Sequence, residues 1–186
     1  MSPNNTKRLF TFDECLRLAE TGILSPYERV ELIAGEIIVM SPISPRHGVA
    51  VDRATRVMVR LAGDHAIVRT HGTVVLDRFA APQPDLALLR PKLDEYLSRN
   101  PSAEDILLIL EVAESSLDYD TTTKLGLYAI LGIPEYWVAD LRNRRLLVHL
   151  RPQGDKYTSV AELRPGNFVA PQLLQDCVIP VDLLLP

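Results

Sequence analysis

The stretch from Ile106 to Val112 is aliphatic at every position but one, Glu111. A strand with one solvated face alternates apolar and polar residues, so an unbroken run of this kind is what a strand covered on both faces requires. A chain that supplies such cover layers helices over a central sheet. The same run places a carboxylate where water is excluded, which is costly unless the charge is paired, hydrogen-bonded or bound to a cation.

Other elements can be read around that strand. Thr11 to Glu14 reads TFDE, a capping box, and predicts a short helix to about Ala19 that ends at Gly22. A turn at Ser25-Pro26 follows, and Arg29 to Met40 places apolar residues on both sides of Ala34-Gly35, as in a hairpin. Between Pro45 and Leu61 the residues Ala50, Ala54, Val57, Met58 and Leu61 form one helical stripe, with Pro45 acceptable in the first turn. Ala66 to Leu76 and Pro84 to Leu89 read as central strands.

Asp120 or Thr121 can cap a helix running through Leu131, closed by Gly132, before a strand from Glu135 to Ala139. Strand, helix, strand implies a right-handed parallel crossover. Arg144 to Leu150 and Lys156 to Val160 read as antiparallel strands around a Gln153-Gly154 turn, and a tail follows with a last apolar segment, Cys177 to Leu185. The expected fold is α/β, a mixed central sheet flanked by helices in one domain over residues 1–186.

Composition narrows the classes of function. At 47% hydrophobic and 24% charged residues the chain has the make-up of a packed globular domain. Cys15 and Cys177 form no metal-ligand spacing, so both are expected as buried free thiols rather than a disulfide framework or zinc site. The opening MSPNNTKRLF lacks the apolar run of a signal peptide and no segment is long enough to span a bilayer, so a cytoplasmic protein without membrane association is expected. The net charge of −4 argues against nucleic-acid binding through a global positive field, although a local basic face remains compatible with it. Only Lys7, Lys92, Lys124 and Lys156 are lysines, so a lysine beside buried acids stands out.

In PQPDLALL a second acid, Asp85, interrupts an apolar strand as Glu111 does in LLILEVA. Two such carboxylates can share a hard cation, since magnesium is satisfied by one or two carboxylates, a backbone carbonyl and waters. A magnesium site of this kind supports hydrolytic chemistry. The alternative reading has Asp85 capping a turn and Glu111 pairing with an arginine.

The segments YERVELIAGEIIVMSP, PQPDLALL and LLILEVAESSLDYDTTTKLGLYAILGIPEYWVAD resemble the Uma-two family, a large bacterial family of restriction-endonuclease-like proteins within the PD-(D/E)XK phosphodiesterase superfamily. The resemblance runs from Thr11 to Arg151 and implies a restriction-endonuclease-like fold. Pro84-Asp85 matches the superfamily's first element and Glu111 its second, but Ala113 stands where the pattern has lysine. The resemblance implies that Lys124, near the start of the following helix, takes that role. It also implies that Glu31 is an added acid of the site. Edge pairing of Glu31 with Arg29 or another arginine is the competing reading.

These readings together give an expected metal-dependent phosphodiesterase acting on DNA as a homodimer. Asp85, Glu111 and the Val112 carbonyl would hold Mg2+, with Mn2+ as a substitute, and Lys124 and Glu31 would complete the catalytic set. The rival is a nucleic-acid or protein-binding module that keeps the fold without turnover, and hydrolysis of another phosphate ester is a third option. Tyr128 is expected to support the site or pack in the core, and Gln83 to sit beside Asp85 as a polar auxiliary. His47 reads as a helix-start residue or substrate contact, with His65, His71 and His149 scattered. Arg53, Arg56 and Arg60 read as a solvated helix face in preference to a phosphate-binding one, and Trp137 as core.

Overall fold

The computed structural model describes residues 6–25 and 27–186, so the expected Ser25-Pro26 turn falls partly outside the described residues. Helix α1 (Phe12–Glu20) begins at the capping box, with Glu14 N–H donating to Thr11 and the Glu14 carboxylate accepting from the Thr11 N–H. It lies on the surface and buries none of its residues. Strands β1 (Val30–Ile33) and β2 (Glu36–Val39) pair antiparallel as their own two-stranded sheet. Their turn holds Ala34 at φ 49° and Gly35 at φ 79°, the double left-handed conformation of a two-residue hairpin. Gly35 has a second constraint, because a Cβ there would lie 2.6 Å from the Leu9 Cβ.

The main sheet has six strands in the order β3 (Ile67–Thr70), β4 (Leu86–Leu89), β5 (Ile106–Ala113), β6 (Glu135–Asp140), β7 (Arg145–Gln153) and β8 (Lys156–Leu163). Only β5 and β6 run parallel; the other neighbours are antiparallel. This is the mixed central sheet flanked by helices that the sequence predicts. Every residue of β5 is buried. Leu108, Leu110 and Val112 turn to one face, where Ala50, Ala54 and Met58 of helix α2 (Pro45–Ala62) pack with Trp137. Ile109 and Ala113 turn to the other face, covered by Tyr128 and Ala129. Glu111 stands between those two residues, so the period-two alternation of the strand sends its carboxylate toward the second helical layer.

Three expectations need correction. The strand read over Ala66 to Leu76 is only Ile67–Thr70, and it forms the sheet's edge instead of a central strand. His71 takes a left-handed φ of 49° and breaks the ladder, while Val74 and Leu76 are buried from a loop whose Val74 N–H donates to the Pro82 carbonyl. The helix expected from Asp120 starts earlier: α3 (Leu117–Tyr119) runs into a π-helical turn, Asp120–Lys124, and then α4 (Leu125–Ile130). Asp120 is inside this element, its carboxylate accepting from the Ser116 hydroxyl at 2.6 Å, and Lys124 lies mid-element. Cys177 is a buried free thiol, but Cys15 is only half-buried.

The strands around residues 153–156 extend further than expected, to Gln153 and Leu163. In the tail only the short strands β9 (Phe168–Val169) and β10 (Ile179–Pro180) pair. No helix among the described residues is long and apolar enough to cross a membrane.

The tail is fastened to the sheet by a buried acid. The Glu135 carboxylate accepts from the Trp137 indole N–H at 2.7 Å and from the Gln172 N–H at 2.6 Å. Burial nevertheless pushes it up to about 7, against those two hydrogen bonds. A folded-state value above the ordinary 4.5 means that the native protein binds the proton more tightly than the unfolded chain. The resulting stabilisation is complete below 4.5 and is lost as pH rises through about 7. In urea titrations across pH, the stability difference between wild type and Glu135→Gln should therefore fall over that window and level off above it; a pH-independent difference would contradict this.

Candidate functional site

Four buried acids, Glu31, Asp85, Glu111 and Asp120, meet one buried lysine, Lys124. They arrive from four places in the chain. Glu31 comes in on the hairpin, which is tied to the loop before β4 by paired backbone bonds between Leu32 and Ala81. Asp85 sits immediately before β4, beside the end of β5 that carries Glu111 and Val112. Asp120 and Lys124 come from the π turn, where the Leu125 N–H reaches back five residues to the Asp120 carbonyl. Such a turn is wider than one of a regular helix, and π turns of this kind recur at functional sites. Tyr119, Asp120 and Lys124 accordingly all line one cleft of about 350 Å³ with the three other acids.

Lys124 Nζ donates to Glu111 Oε1 at 2.9 Å and to Glu31 Oε1 at 3.1 Å. Tyr128 O–H adds a bond to the same Glu111 oxygen at 2.9 Å, and the Gln83 N–H donates to Glu31 Oε1 at 2.8 Å. Asp85 is tied to the strand in both directions. Its Oδ2 accepts from the Val112 N–H at 2.8 Å, and its own N–H donates to Glu111 Oε2 at 3.3 Å. His47 Nε2 lies 2.9 Å from Asp85 Oδ1.

The protonation tendencies follow from the surplus of acid. Burial pushes the Glu111 carboxyl up, and the pull of Lys124 is partly cancelled by Asp85, Asp120 and Glu31. Burial and the same neighbours also raise Asp120, against Lys124 and its bond from Ser116. Burial alone would discharge Lys124, but Glu111, Glu31 and Asp120 outweigh it and hold the ammonium firmly protonated. These directions are compatible: the lysine stays charged, and more carboxyl groups crowd it than one ammonium can keep ionised. For His47, burial works downward, but the hydrogen bond and charge of Asp85 raise it. Burial lowers His71, with Asp85 offsetting only in part.

The fold brings together Glu31, Asp85, Glu111, Val112 and Lys124, the five residues that the sequence singles out. Glu31 pairs with Lys124 and not with an arginine. Gln83 is not an auxiliary beside Asp85, because its side-chain amide donates to the Val30 carbonyl and only its backbone serves the site. The histidines are less scattered than the sequence suggests, since His71 Nδ1 lies 3.6 Å from the oxygen that His47 contacts. Asp120 and Tyr119 were missed as cleft residues. Arg53, Arg56 and Arg60 are exposed along α2, as a solvated face requires. Trp137 is fully buried.

The donor set suits a hard, hydrated cation better than a transition-metal cage. Among the described residues no three His, Cys, Asp or Glu side chains are placed to hold a metal by themselves. Asp85 and Glu111 each retain unshared lone pairs beyond the bonds above, and the Val112 backbone lies against Asp85. One or two carboxylates with several retained waters are the usual complement for magnesium.

Removing the lysine leaves buried carboxylates without their cation, which costs about 3–5 kcal/mol for a pair of this kind. Lys124→Met should lose that much stability in denaturant unfolding at mildly alkaline pH. It should lose less at acid pH, where the abandoned carboxyls take up protons; an equal loss at both would contradict the charge surplus.

The Uma2 family model, described as "Putative restriction endonuclease", matches residues 12–182. No curated protein matches the chain. A solved structure described as a putative nuclease belonging to DUF820, from Anabaena variabilis ATCC 29413, superposes with a TM-score of 0.72 at 17% identity. That likeness covers 94% of this chain and 97% of the other and, at such identity, concerns the fold alone. With the family match extending from α1 to the turn after β10, the chain belongs to the Uma2 family.

Proposed function

We propose that the protein is a magnesium-dependent phosphodiesterase that hydrolyses the backbone of DNA. The observation that carries this reading is the contact of Lys124 Nζ with Glu111 Oε1 at 2.9 Å, beside an Asp85 already bonded to the Val112 backbone. The Uma2 family's description supports it. Asp85, Glu111 and the Val112 carbonyl would hold Mg2+, or Mn2+ in its place. Bound magnesium supplies charge stabilisation at a phosphoryl oxygen and makes water acidic enough to attack.

The chain's own groups divide the remaining work. Lys124 has three N–H donors, two of them occupied by Glu111 and Glu31; the third is available to orient the attacking water or a phosphoryl oxygen. Glu31 holds that ammonium from the hairpin, with its own carboxylate held by the Gln83 N–H. Tyr128 keeps the Glu111 carboxylate in one orientation. A homodimer would let two such clefts address two strands.

The test is cleavage of supercoiled plasmid by purified protein. Mg2+ or Mn2+ should support nicking or linearisation, and chelator should stop it. Asp85→Asn and Glu111→Gln, folded as judged by melting, should each reduce the rate at least about 100-fold, as loss of a group that stabilises transition-state charge does. Cleavage by Asp85→Asn at the wild-type rate would overturn the assignment. DNA binding without cleavage at any metal concentration would make the protein a binding module.

A further inference from the structure

Asp85 is gripped at both oxygens. Oδ2 accepts from the Val112 N–H, and Oδ1 faces His47 Nε2 at 2.9 Å. His47 reaches that oxygen from the first turn of α2, whose N-cap, Ser44, accepts the His47 N–H at 3.1 Å. The Ser44 hydroxyl in turn donates to Glu114, the residue directly after β5. The imidazole is thus located relative to the same strand end that carries Glu111 and Val112. His71 approaches from the loop after β3, held by its own N–H to the Asp85 carbonyl at 3.3 Å. At 3.6 Å from Oδ1 its ring nitrogen is too far for a hydrogen bond, so it packs beside the carboxylate without orienting it.

We propose that His47 is a positioning residue for the divalent cation, donating from Nε2 to Asp85 Oδ1 so that a remaining lone pair of that carboxylate faces Glu111 and the Val112 backbone. The inference rests on the magnesium reading of the cleft. Rotation of an aspartate carboxylate about χ2 is loosely restrained, and a single bond from Val112 leaves the plane of Asp85 free to swing about that contact. Magnesium and manganese sites tolerate little misdirection of their few protein ligands. Partners in the layer behind the ligands commonly alter metal affinity 10–100-fold. His47 is assigned as a donor, not a ligand, because Nε2 and Oδ1 stand at hydrogen-bond distance with no room for an ion between them.

The test is direct Mn2+ binding by the full chain without DNA, read from the electron paramagnetic resonance signal of free manganese. His47→Ala should weaken binding about 10–100-fold, and His47→Gln, which restores an N–H donor at similar reach, should recover most of it. Equal binding by wild type and His47→Ala overturns the positioning role alone. A His47→Gln variant no better than His47→Ala overturns the donor assignment, because the imidazole nitrogen itself would then be needed. Wild-type protein that binds no Mn2+ removes the cation site and this proposal with it. If His47→Ala fails to melt cooperatively, His47→Asn, whose shorter amide stops short of Asp85, replaces it with the same expected loss.

Discussion

The Lys124 ammonium, buried between Glu31 and Glu111, is the contact on which the rest of the site depends. Taking an ammonium out of water costs several kcal/mol, which only close and well-directed carboxylates offset. Here the two partners come from different parts of the fold, a separate hairpin and the central strand of the main sheet. One side chain on the helical element after β5 therefore adds a charged tie between that hairpin and the sheet to the backbone bonds that Leu32 makes with Ala81. Without this charge, Glu31 and Glu111 would face each other in a medium where repulsion between like charges is poorly screened.

The compensation is incomplete. Four buried acids against one lysine leave a surplus that the protein meets by raising Glu111 and Asp120 and by placing His47 on Asp85. A surplus of this kind is a liability for stability and an asset for capturing a cation, since a divalent ion relieves repulsion that the fold has already accepted. The π turn has the same character. Its geometry is less favourable than regular helix, but it brings Asp120 and Lys124 onto the cleft wall together with Tyr119.

How much of this was legible in the sequence depended on whether the signal was local. The Ile106–Val112 run announced a strand buried on both faces because apolar content alone encodes it. Acids inside apolar strands announced Asp85 and Glu111 for the same reason, and the scarcity of lysine drew attention to Lys124. Val74 and Leu76 misled, because burial under a loop and burial in a ladder select the same residues. The helix start at Leu117 was hidden because Asp120 resembles a cap, although its carboxylate is taken by Ser116 within the element. His71 could not be read as a site residue at all: its approach to Asp85 depends on a left-handed backbone conformation that no neighbouring residue signals.

The central claim is that Asp85 and Glu111, with the Val112 carbonyl, form a seat for one divalent ion beside Lys124. Crystals soaked in manganese and measured at a wavelength where it scatters anomalously test this most directly. The account predicts one anomalous peak within about 2.0–2.2 Å of an oxygen from each of those three residues, a hard-cation distance, with Lys124 still bonded to Glu111. A cleft without a peak, or an ion bound only at surface carboxylates elsewhere, would contradict it.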